Sequence, residues 1–147
     1  MSGWLLLQKV HGHLGILAVA LALHPVFSLR KGRPPTRGAR LSGYLGAATM
    51  TLASGAGWLV YPTYREEVRR RLYEQSVTYG QLFETKEHLA FYALCLALAG
   101  AALLWASNKE HGASVRRPAR ITWALCFVCA LATGLLGVVT ASVAGFR

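Results

Sequence analysis

Four stretches of this chain are apolar for long enough to cross a lipid bilayer, roughly residues 10–29, 41–61, 88–106 and 121–146. A hydrocarbon core is spanned by about twenty apolar residues in helix. Backbone groups in lipid must be hydrogen-bonded internally, which leaves a helix bundle or a closed barrel. The runs are rich in Leu and Ala and lack period-two alternation, so they select helices. With 54% hydrophobic and 15% charged residues over 147 positions, little remains for a second folded unit. The expected fold is an all-α membrane protein, a single four-span bundle over 1–147. The first span continues into His24-Pro25 and lacks a small-residue cleavage site, so it is expected to be retained.

A net charge of +10 suggests nucleic acid only until the cations are placed. Arg30, Lys31, Arg33, Arg37 and Arg40 fill the first loop without an acid, and Lys109, Arg116, Arg117 and Arg120 dominate the third. Such loops mark the cytoplasmic side. Loops 30–40 and 107–120 are therefore expected inside, and both termini outside, in a bacterial inner membrane. The count is nine basic residues inside against seven outside, and the first hairpin argues best. The partner is lipid, not nucleic acid. Trp4, Trp58, Trp105 and Trp123 all fall near span ends, where an indole meets both hydrocarbon and water.

Between spans two and three, Pro62 is expected to end the second span. Tyr64, Val68 and Leu72 then repeat every four residues in an otherwise polar run. This stripe suits a short interfacial amphipathic helix in the headgroup layer, or a solvated helix against the bundle. Small residues also recur every four positions: Ala47, Thr51 and Gly55; Ala93, Ala97 and Ala101; Gly137, Ala141 and Gly145. In lipid such stripes let helix backbones approach closely.

The histidines are the candidate ligands. His13 and His24 are eleven residues apart, nearly three turns, so they share a face about 16 Å apart along the axis. His88 begins the third span at the depth of His13 and is placed to oppose it as an axial ligand of haem iron or another metal. His11 is the alternative to His13, about 160° away around the helix. His111 lies about 34 Å beyond His88 if helical, twice the His13–His24 rise, so a two-haem ladder is not formed. Glu87 and Tyr92, with Cys95, suggest a proton relay or quinone face beside His88. The alternative is an interfacial salt-bridge cluster. Cys126 and Cys129 have redox spacing but sit in an apolar helix, where a free thiol acts as a small hydrophobe. No nucleophilic triad, phosphate loop or HExxH pattern assigns the chain a reaction of its own.

The layout resembles four-helix membrane families of the CopD and HemJ (protoporphyrinogen oxidase) type. The likeness rests on a His-bearing first span, a basic loop into the second, and Tyr61-Pro62 closing it. Tyr79-Gly80-Gln81-Leu82-Phe83 and Lys86 then lead into the third span, with Asn108 after it. The resemblance implies haem b, with functional positions at His13 or His11 and at Lys86 or His88. The expected function is a haem-binding or electron-transfer membrane protein, within a larger complex or a homo-oligomer. The alternatives are a non-catalytic structural or assembly subunit, and a metal or small-solute transporter.

Overall fold

The computed structural model describes residues 3–107 and 112–145, with the side chains of Trp4 and Leu5 left aside. Asn108, Lys109, His111 and Phe146 lie outside the described residues. The chain is helical and, among the described residues, has no strand. Helix α1 runs Gly3–Ser28, a 3-10 turn Arg30–Gly32, and α2 Arg37–Thr63. A π-turn, Tyr64–Arg69, joins α2 to the short α3, Arg70–Gln75, and α4 (Val77–Ala106) and α5 (Ala113–Val143) complete the chain. Four long helices form a ring: α1 packs on α2, α2 on α4, α4 on α5 and α5 on α1. Helices α1 and α4 are thus diagonal.

Three of the four, Leu6–Ser28 within α1 and all of α4 and α5, are long and apolar enough to cross a membrane. Helix α2 is not, by composition. It carries Arg37 and Arg40 in its first turn, then Gly, Ala, Ser and Thr where the others carry Leu and Val. That reduces the expected four spans to three on this criterion. The same small residues give α2 its packing face. Ala39, Gly43, Gly46, Ala47, Ala53 and Ala56 are all buried.

At the centre lies Trp123 of α5, fully buried rather than at a lipid interface. Its ring occupies a notch cut by glycines. A Cβ on Gly100 would come 2.8 Å from its Cε2, one on Gly43 3.3 Å from Cζ2, and one on Gly46 3.6 Å from Cη2. Trp58 and Trp105, by contrast, are exposed on outer faces.

Helix ends differ from expectation for local reasons. Ser76 caps α4, its Oγ accepting from Thr78 N at 3.2 Å, so the helix begins eleven residues before the expected span. Pro62 does not end α2, which runs through it to Thr63 and on into the π-turn. Proline withholds one ladder donor, and the wider turn follows two residues later. The Tyr64–Val68–Leu72 stripe packs on protein. Val68 and Leu72 are buried with Phe83 and Ala144 beneath α4 and α5. Gln75 Nε2 ties α3 to the Val143 carbonyl at 3.0 Å.

Candidate functional site

Because α4 starts at Val77, its polar first turns are helical and project three side chains in different directions. Glu84 faces α3. Its Oε1 accepts from Arg69 Nη2 at 2.6 Å, from Arg69 Nε at 3.0 Å and from Tyr73 Oη at 3.0 Å. The Arg69 guanidinium also lies 5.1 Å from the Tyr73 ring centroid. Tyr73 reaches this position because residue 80 is glycine: a Cβ there would lie 2.5 Å from three ring atoms. The hydrogen bond to Glu84 raises the Arg69 pKa against its own desolvation. Desolvation, then the bond to Glu84, raises that of Tyr73.

Lys86 turns inward. Its Nζ stands 4.3 Å from the Phe83 ring centroid and 5.4 Å from that of Tyr64, a cation–π arrangement over two stacked rings. Gln8 Nε2 of α1 donates to Tyr64 Oη at 2.7 Å. Glu87 accepts from Tyr61 Oη at 3.2 Å. One polar end therefore ties α1, α2, α3 and α4 together.

The histidines divide by face. His11 is half-buried between α1 and α2, its ring against Gly57 and its Nδ1 2.8 Å from the Ala53 carbonyl. His13 and His88 are exposed, with Nδ1 on the carbonyl of their own helix, Lys9 O at 2.7 Å and Glu84 O at 2.8 Å. A carbonyl only accepts, so each Nδ1 donates, and in the neutral ring the lone pair is then on Nε2. That is the tautomer of a metal-ligating imidazole. The placements, however, do not set His13 and His88 around one haem: both are on outer faces of diagonal helices. His24 is exposed, its Cε1 3.1 Å from where a Cβ of Gly38 would stand. Among the described residues, no three His, Cys, Asp or Glu side chains converge as a metal site.

Tyr92 and Cys95 share the exposed side of α4 with His88, away from Glu87, which bonds Tyr61 instead. Glu87 and Tyr92 are thus not brought together as a relay. Cys126 is buried and its Sγ donates to the Ala93 carbonyl at 3.4 Å, in keeping with a small packed thiol. Sequence reasoning missed Gln8, Tyr61, Arg69, Tyr73 and Glu84. The available signal was Ser76, a capping residue, ahead of the helix formers Gln81, Leu82, Glu84, Lys86 and Glu87, which brings Glu84 into helical register with Gly80. No protein-family model, curated protein or solved structure matches this chain.

Gly80→Ala is expected to lift the Tyr73 ring off α4 and break its bond to Glu84. Burial and that bond both favour the protonated phenol, so its release lowers the Tyr73 pKa toward the ordinary value of about 10. An alkaline ultraviolet titration, with Tyr73→Phe to assign the signal, reads the shift. An unchanged titration would show that the ring keeps its partner.

Proposed function

We propose that this chain is a non-catalytic structural or assembly subunit of a membrane complex. In this reading α2 crosses the bilayer beside α1, α4 and α5. Both termini lie outside, and loops 30–40 and 107–120 are cytoplasmic at a bacterial inner membrane, following the Lys/Arg excess. The observation that carries the reading is the outer face of α4. His88, Tyr92 and Cys95 are all exposed there at helical spacing, and Tyr92 is 53% exposed. Polar and ionisable groups within spans ordinarily face a bundle interior rather than lipid. A partner helix covering this face supplies that interior.

A photo-crosslinking residue replacing Tyr92 should give one discrete protein adduct in native membranes. The same probe at Leu135, 61% exposed on α5, should give none. Adducts to lipid alone at position 92 would defeat the reading.

A haem-binding or electron-transfer role is the second reading, favoured by the exposed imidazoles of His13 and His88, each of which donates Nδ1–H to a carbonyl of its own helix and in the neutral ring offers Nε2. Given their outer positions, each would ligate haem iron or another metal at a contact with a second chain. A dithionite-reduced b-type absorbance band, lost in His88→Ala, would put this reading first.

A further inference from the structure

The opposite end of the bundle is built from two segments distant in sequence. The α1–α2 connector turns at Lys31 and Gly32, both with positive φ, 59° and 70°. The first turns of α5 lie against it, with Arg116 Nη1 donating to the Gly32 carbonyl at 3.3 Å. Folding thereby gathers Arg30, Lys31, Arg33, Arg37 and Arg40 with Arg116, Arg117 and Arg120. No acid stands among the described residues of this end. Glu110, in the neighbouring loop, lies outside them.

A cleft of about 470 Å³ opens here, lined by Phe27, Ser28, Arg30, Lys31, Arg33 and Thr36 among others. Its walls are chemically unlike. Phe27 is 56% exposed in the last turn of a membrane-length helix. The cations and two hydroxyls make the other side. A soluble polyanion would use the cations but has no need of an apolar wall continuous with the hydrocarbon. A phospholipid uses both.

We propose that this cleft binds the phosphodiester headgroup of an anionic phospholipid from the surrounding bilayer. Arg30, Lys31 and Arg33 hold the phosphate, and an acyl chain lies along Phe27. The proposal rests on α1 and α5 crossing the membrane but not on any partner at α4. Basic residues at a span end attract anionic lipid, each worth about a fivefold preference near the surface. Clustering them over one cleft localises that attraction to a single headgroup.

The test is the full chain reconstituted in phosphatidylcholine vesicles with spin-labelled phosphatidylglycerol or phosphatidylcholine as probe. Wild type should hold the glycerol lipid in the motionally restricted fraction with at least about fivefold preference. Arg30→Gln/Lys31→Gln/Arg33→Gln should cut that preference at least about fivefold, with the remaining cations of this end accounting for what is left. Arg65→Gln/Arg70→Gln, at the other end and away from the cleft, should reduce it less than the triple variant does. Circular dichroism establishes that both variants keep their helix content, as expected for exposed positions. Equal restriction of the two lipids by wild type overturns the proposal, as does an undiminished preference in the triple variant. Competition by inorganic phosphate at constant ionic strength would mark a site for soluble anions and overturn the lipid assignment. Sedimentation of the protein with its vesicles checks the membrane reading separately.

Discussion

Trp123→Ala is expected to destabilise the bundle by about 3 kcal/mol, the lower end of the range for large aromatic truncations. The indole is fully buried, held in the notch formed by Gly43, Gly46 and Gly100, with Leu104 and Pro25 beside it. In lipid the gain from transferring an apolar group out of water is muted between helices. The cost of the cavity and of the lost dispersion contacts remains. No hydrogen bond to a described residue adds to this loss, because the Trp123 Nε1 is buried with no acceptor among the described residues. Trp123→Phe should therefore recover much of the stability, having filled part of the volume and removed an unsatisfied donor. Detergent unfolding of the three proteins measures both effects. An alanine variant as stable as wild type would mean that the indole does not hold the helices together.

Gly100→Leu attacks the same contact from the other side. The new Cβ would start 2.8 Å from Cε2 and Nε1 of Trp123, so either the indole or the α4 backbone must move. Overpacking of this kind typically costs about 1–3 kcal/mol. Gly134→Leu is the control, because none of the described residues lies within 4 Å of a Cβ there. It should be neutral or gain about 0.5–1 kcal/mol from the better helix former. Combining Gly100→Leu with Trp123→Ala should cost less than the sum of the two, since the leucine then enters the space the indole left. Strict additivity would show that the two residues do not share a contact.

These two residues also show how far the small-residue stripes could be read. The Ala93–Ala97 stripe does face the core, and both are buried. Among the described residues, none lies within 4 Å of a Cβ on Gly55, from another stripe, and a Cβ on Gly137 meets the stem of Lys86 at 3.9 Å. The close approach runs instead along Gly43, Gly46 and Gly100. Spacing by four identifies a potential face but not its rotation about the helix axis.

The sequence by itself determined the helical class, because long apolar runs in lipid have few other ways to satisfy their backbone. It also located the basic loops, and it separated His11 from His13, since two residues of helix turn a side chain about 160° away. Which of the two would face protein was decided only by the tertiary structure. There His11 fits over Gly57 of α2 while His13 is left outside. The same holds for Trp123, near a span end by number yet drawn inward because three glycines leave room for a ring. The Glu84 cluster arises because Gly80 lets Tyr73 lie on α4, and the basic end because α5 meets the first loop. Each is a contact between segments that are not sequence neighbours. Its physical cause is steric fit between helix surfaces, which periodicity within a single helix does not contain.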